Sequence, residues 1–196
     1  MTGRGLINWG KHNEQPFPWR DESCSRYHSL IAEILLQRTR AEQVVDVFLE
    51  FTRVFPDAEA TSNSPLADIE RIVYPVGLTY RALTIHNFSK LVCKHYNGQP
   101  PNEYDELLGL PRIGQYAASA FLSFSLGKRA VILDVNTRRL YYRFFNPEFA
   151  DRPKSAVFTE LGDLLTPKGN SRIFNYAFLD VSRTICKKSP LHDCCP

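Results

Sequence analysis

From Ala41 onward the apolar residues Val44, Val47, Phe48, Phe51, Val54 and Phe55 recur at intervals of three and four, which lines up one face of an α-helix. Thr39-Arg40-Ala41-Glu42, just ahead of this run, has the spacing of a capping box. An apolar turn of Leu30, Ile31, Ile34 and Leu35 lies upstream, so Gln37 and Arg38 fall at a joint between two helices. Ser64-Pro65 reads as an N-cap and first helical position before Leu66, Ile69, Ile72 and Val73, with Gly77 as the stop. Further helices are expected over about 80–96, closed by Gly98, and over about 115–126, 135–144, 154–165 and 172–185. The best extended candidate, Ala130–Leu133, is four residues long. The pattern predicts an all-α protein without internal repeats or low-complexity segments.

A chain of 196 residues allows one compact domain or two small lobes. Its 43% hydrophobic and 23% charged residues are ordinary for a globular protein. No apolar run reaches the ~18–20 residues of a membrane span. The first residues lack the apolar core of a secretory signal, so an intracellular protein with no membrane contact is expected. The net charge of +3 permits a polyanionic partner without demanding one. Cys24 and Cys93 lie far apart, whereas Cys186, Cys194 and Cys195 crowd the last eleven residues. In a reducing compartment that crowding points to metal rather than disulfides.

Leu110-Pro111-Arg112-Ile113-Gly114-Gln115-Tyr116-Ala117-Ala118 combines a Pro- and Gly-containing turn with a small-residue helix. Such a turn can aim backbone N–H groups outward at a helix N-terminus, an anion site suited to a DNA phosphate. A plain connector has the same look. Beyond Gly127 comes Leu133-Asp134-Val135-Asn136-Thr137-Arg138-Arg139, in which Asp134 opens a helix. Asp is also a favoured N-cap, and both roles can coexist.

Taken together these segments resemble the helix-hairpin-helix (HhH-GPD) base-excision DNA glycosylases, the superfamily of endonuclease III, the adenine glycosylase MutY and the mismatch thymine glycosylases. The family pattern is Leu-Pro-Gly-x-Gly-x-(Tyr, Ser or Lys)-Thr-Ala, then an Asp eighteen residues past the variable position within Asp-x-Asn-x-x-Arg. Tyr116 and Asp134 stand eighteen apart, with Asn136 and Arg139 in register. Phe17-Pro18-Trp19-Arg20, Ile31–Thr39, Gly77–Ala82 and Phe174–Cys186 resemble further family stretches, so the likeness covers nearly the whole chain. Arg112 replaces the first hairpin glycine and must avoid positive φ or accept strain there. Ala117 replaces the usual Thr.

The resemblance implies one glycosylase domain over 1–196. A helical-barrel lobe would cover 24–130 with the hairpin at 108–118, and a second lobe 1–23 plus 131–196 with a cysteine-rich end at 186–196. It implies that Asp134 stabilises the cation formed at the sugar or orients the attacking water. Glu33, on an otherwise apolar face, would contact or protonate the extruded base; a buried Glu paired with an Arg is the plainer reading. Arg38 falls where the family inserts a side chain into the gap left by the flipped base, or is an exposed helix-end arginine. Gln37, Leu110, Arg112, Gly114, Gln115, Asn136 and Arg139 complete the expected DNA-contacting set. Tyr116 stands where bifunctional relatives carry a Schiff-base Lys; a phenol cannot form one, so a monofunctional enzyme is expected, with a core tyrosine as the alternative.

Relatives end in Cys-x6-Cys-x2-Cys-x5-Cys around a [4Fe–4S] cluster. Here Cys186, Cys194 and Cys195, with His192 at a ligand position, fit that pattern imperfectly, and no fourth cysteine follows. A thiol-rich tail without metal is the other reading. The expected partner is double-stranded DNA with a mismatched or damaged base, bound by a monomer. The expected activity is release of thymine or uracil opposite guanine. A MutY-like adenine glycosylase and a catalytically silent DNA-binding hairpin module are the alternatives.

Overall fold

The computed structural model describes residues 3–77, 80–145 and 155–195. Its helices are α1 (Gly3–Asn13), α2 (Arg26–Leu36), α3 (Ala41–Val54), α4 (Ala58–Asn63), α5 (Leu66–Val73), α6 (Tyr80–Tyr96), α7 (Tyr104–Leu108), α8 (Gln115–Phe124), α9 (Val135–Phe145), α10 (Ser155–Leu165) and α11 (Ser171–Thr184). Single 3-10 turns occupy Pro18–Arg20, Tyr74–Val76 and His192–Cys194. Among the described residues there is no strand, as the all-α pattern predicts. The α6 span matches the expected 80–96, and Gly77 and Gly98 bracket it at φ 69° and 79°, a backbone region open to glycine. Leu78, Thr79 and Lys154 lie outside the described residues.

Two local expectations need correction. The capping box ahead of α3 does not form. Arg40 is the N-cap residue and makes no side-chain cap, while the Thr39 hydroxyl donates to Gln37 O at 3.3 Å. Ser64 does not start α5 but ends α4, donating its hydroxyl to Thr61 O at 2.8 Å, and Pro65 sits at the N-cap. Ala130–Leu133 is an extended connector whose backbone is met by side chains rather than a partner strand. The Asn175 amide donates to Ala130 O at 2.9 Å, and Ala130 N donates to Ser171 Oγ at 3.4 Å.

Contacts divide the chain into two compact units, Pro16–Phe121 and Met1–Gln15 with Leu122–Pro196, and the second division falls within α8. In the Pro16–Phe121 unit, α6 packs on α4, α5 and α2, and α3 packs on α2 and α5. Leu30, Ile31, Leu35, Val44, Phe51, Ile69, Ile85 and Phe88 lose all exposure there, and each such burial contributes roughly 1.5–3 kcal/mol. Phe17 stacks on Trp19 at 4.9 Å, and Trp19 meets the Phe48 edge at 5.6 Å. The Pro-Trp-Arg stretch is therefore packing for this unit.

The other unit is built on α11. Here α1 approaches so closely that a Cβ on Gly10 would lie 2.7 Å from the Ala177 Cβ. On α10, a Cβ on Gly162 would lie 2.2 Å from Val131 Cγ1, so glycine lets the connector lie flat on that helix. Asn175, Ser123 and Ser171 form a buried cluster, with the amide 2.9 Å from Ser123 Oγ and 3.2 Å from Ser171 Oγ. That cluster and the bond to Ala130 O fix the chain four residues ahead of Asp134.

Candidate active site

Asp134 ends the fixed connector and begins α9. One carboxylate oxygen accepts from Thr137 N at 2.6 Å, and Asp134 N donates back to Thr137 Oγ1 at 2.7 Å. The exchange satisfies two groups at once and holds the carboxylate at the helix N-terminus. Asp134 is thus an N-cap, and its second oxygen accepts from the Asn136 amide at 3.1 Å. It is half-buried, while the next residue, Val135, is 79% exposed.

The side chains behind Asp134 form a continuous relay. Arg139 donates to Asn136 Oδ1 at 3.0 Å, to Ser182 O at 2.8 Å and to Cys186 O at 2.9 Å. One helical turn on, Arg143 donates to Cys186 Sγ at 3.4 Å and to Lys188 O at 2.9 Å. Arg139 takes a carbonyl of the last turn of α11, and both guanidiniums take carbonyls of the chain just beyond it. Asn136 and Arg139 therefore come together with Asp134, tied to the start of the cysteine-rich end.

The cysteines themselves do not assemble. Cys186 is buried, whereas Cys194 and Cys195 are exposed. Among the described residues no group of three or more His, Cys, Asp or Glu is placed to hold a metal ion. The His192 side chain lies outside the described residues. These donors do not fit a four-ligand cluster.

Within the Pro16–Phe121 unit the other candidates gather at two turns. Ile113 N donates to Leu110 O at 3.2 Å, closing Leu110–Ile113 with Pro111 second and Arg112 third at φ 63°. That is the backbone of a type II turn, whose third position favours glycine. Arg112 accepts the strained conformation. Its carbonyl takes the Gln37 amide at 2.9 Å, and its guanidinium sits 4.3 Å from the centre of the Tyr80 ring.

The second turn, Leu36–Thr39, is closed by Thr39 N to Leu36 O at 3.2 Å, with Gln37 at φ −57°, ψ 114° and Arg38 at φ 58°. It too is type II, with arginine in the glycine position. Arg38 is exposed.

Together α7, the Leu110–Ile113 turn and α8 make the expected helix-hairpin-helix. Leu110 and Ile113 are buried beneath it, and Gly114 and Gln115 are exposed at the start of α8. The first helical hydrogen bond runs from Ala118 N to Gly114 O, so the preceding N–H groups have no intrahelical acceptor. A Cβ on Gly114 would meet nothing within 4 Å, and its φ is not positive. The fold itself does not need glycine there. Glu33 lies buried on α2 and Tyr116 half-buried on α8.

Sequence reasoning gave no role to Arg81, Tyr80 or Thr137, and gave Thr39 a capping role alone. Thr137 was readable as the return half of the Asp134 cap. Arg81 shares the buried face of α6 with Ile85, Phe88 and Val92 at helical spacing, and a charge in that stripe is a signal. It is 1% exposed and donates to Val76 O at 2.6 Å, Gly77 O at 3.1 Å, Gln37 O at 2.7 Å and Thr39 Oγ1 at 3.0 Å.

The sequence profile of the HhH-GPD superfamily base excision DNA repair proteins matches residues 31–166. The chain is 32% identical over 199 residues to the thymine/uracil-DNA glycosylase of Pyrobaculum aerophilum, covering 97% of this chain and 86% of that one. It is 31% identical over 193 residues to the adenine DNA glycosylase of Buchnera aphidicola subsp. Baizongia pistaciae, covering 97% of this chain but spanning only 55% of that relative's length. The solved structure of a thermostable thymine-DNA glycosylase superposes with a TM-score of 0.90 at 29% identity, covering 98% of this chain and 90% of that one. On the family profile and these relatives, this chain belongs to the HhH-GPD superfamily of base excision DNA repair proteins.

Proposed function

We propose that this protein is a monofunctional DNA glycosylase that removes thymine or uracil mispaired with guanine, leaving an abasic site. The observation that carries the reading is the Asp134 carboxylate, held at the start of α9 by Thr137 N and the Asn136 amide. Breaking the N-glycosidic bond sends the bonding electron pair to the base and leaves positive charge at C1′. A fixed carboxylate stabilises that charge and orients the water that adds there. Glu33 supplies or relays the proton the leaving base takes up. The exposed start of α8 and the arginines of the two turns take DNA phosphate and the gap left by the extruded base. Tyr116 contacts the extruded nucleotide and, having no amine, leaves the strand intact. The protein acts as a monomer on double-stranded DNA.

A [4Fe–4S] cluster at Cys186, His192, Cys194 and Cys195 stands on the resemblance alone. The Buchnera relative supports a second reading, excision of adenine.

A glycosylase assay on duplexes carrying G·T, G·U, A·8-oxoguanine, A·G or hypoxanthine, with and without alkali, separates these. The reading expects thymine and uracil release opposite guanine, with strand breaks only after alkali. Adenine release opposite 8-oxoguanine would replace it with the second reading. Tight binding without release from any duplex would make the protein a silent DNA-binding module.

A further inference from the structure

We propose that Arg81 is a positioning residue that sets the direction of Arg38 by holding the Leu36–Thr39 turn in its type II form. Types I and II differ by a flip of the central peptide, here the one joining Gln37 to Arg38. A non-glycine residue in the third position prefers type I, because positive φ is strained. The local contact, from the Thr39 hydroxyl to Gln37 O, is long at 3.3 Å and weak. The explanation lies on α6, where the buried Arg81 guanidinium donates to Gln37 O at 2.7 Å and to Thr39 Oγ1 at 3.0 Å through the same nitrogen. Flipping the peptide would turn Gln37 O away and leave a buried charged donor short of an acceptor, which costs more than the strain at Arg38.

The same guanidinium holds Val76 O and Gly77 O, and Gln37 passes the constraint on through its side chain to Arg112 O. One side chain thus fixes the backbone of both arginine turns, directly at Arg38 and through Gln37 at Arg112. What Arg38 does when so aimed rests on the glycosylase reading above; how its turn is held does not.

The test has two arms. In the first, NMR on the whole protein reads the peptide orientation: type II gives a strong NOE from Gln37 Hα to Arg38 HN, and type I gives one from Gln37 HN to Arg38 HN. Arg81→Lys, which keeps charge but not the fork, is expected to replace the first pattern by the second. An unchanged pattern overturns the proposal. Where Arg81→Lys does not yield folded protein, Thr39→Val is read instead; partial appearance of the type I pattern supports the proposal and an unchanged pattern overturns it.

The second arm measures the preference for a duplex with a synthetic abasic site over a fully paired one. Arg38→Ala and Arg81→Lys are each expected to reduce it about tenfold, the scale of one charge-assisted hydrogen bond. The double variant is expected to lose no more than either alone, since Arg81 acts through Arg38. Losses that multiply would mean Arg81 acts independently and would overturn the proposal. A wild-type protein with no such preference counts against the glycosylase reading, and the NMR arm then decides this proposal by itself.

Discussion

Asn136 donates its amide to Asp134 at 3.1 Å while its carbonyl accepts from Arg139 at 3.0 Å, so the catalytic candidate is steadied by a side chain that is itself clamped. Asn136→Leu removes both bonds and frees one carboxylate oxygen to rotate. We expect excision about a hundredfold slower in single turnover, the scale of a misplaced reacting group. The loss of folding stability should be roughly 1–2 kcal/mol by denaturant titration, with DNA affinity nearly unchanged. Excision at the wild-type rate would remove Asn136 from the positioning of Asp134.

Gly114 is the hairpin residue whose identity the fold leaves open. Gly114→Ala should keep or raise stability by roughly 0.4–1 kcal/mol, since alanine narrows the unfolded chain and meets no clash. Affinity for duplex DNA should fall roughly tenfold, because the methyl group stands where a phosphate would approach. A destabilised protein with intact affinity would show that glycine serves the fold instead.

Tyr116 predicts where the reaction stops. Borohydride added during turnover should trap no covalent complex with the wild-type protein, because no amine at that position can form a Schiff base. Tyr116→Lys should gain a trappable complex and some strand cleavage. Trapping by the wild-type protein would overturn the monofunctional assignment.

His28 predicts a pH dependence of stability. Burial lowers its pKa below the ordinary 6.5, against the weaker opposing pull of the Phe55 carbonyl and the Asp57 charge. Its ring is fixed between Ser25 Oγ at 2.9 Å and Phe55 O at 2.8 Å. Below pH 6.5 the unfolded chain therefore binds more protons than the folded one, and stability declines as pH falls through that window. Urea midpoints should drop between about pH 7 and about pH 5.5. His28→Asn should flatten that limb; an equal slope in both proteins would assign it to other groups.

The helices were legible wherever an apolar stripe ran for three turns, as in α3 and α6. Missed were α1, whose glycines fit a close helix contact rather than a strong periodicity, and the short α4 and α7, too brief to show a face. Capping differs at Thr39 and Ser64 because the Arg81 guanidinium donates to the Thr39 hydroxyl and the preceding helix accepts the hydroxyl of Ser64. At the site, the Asp134–Asn136–Arg139 series was visible in the sequence. The left-handed backbone of Arg38 and Arg112 was not, because it is imposed by Arg81, Gln37 and Tyr80 from distant positions. Arg112 was foreseen as a choice between avoiding positive φ and accepting strain, and the structure takes the second.

On the reading proposed above, Asp134 catalyses base excision beyond its service as a cap. Asparagine caps helices as well as aspartate does, so Asp134→Asn separates the two roles within one folded protein. Single-turnover excision from a G·T or G·U duplex is the measurement. The rate should fall about a thousandfold, with stability and duplex affinity kept. Excision by Asp134→Asn at the wild-type rate would contradict it.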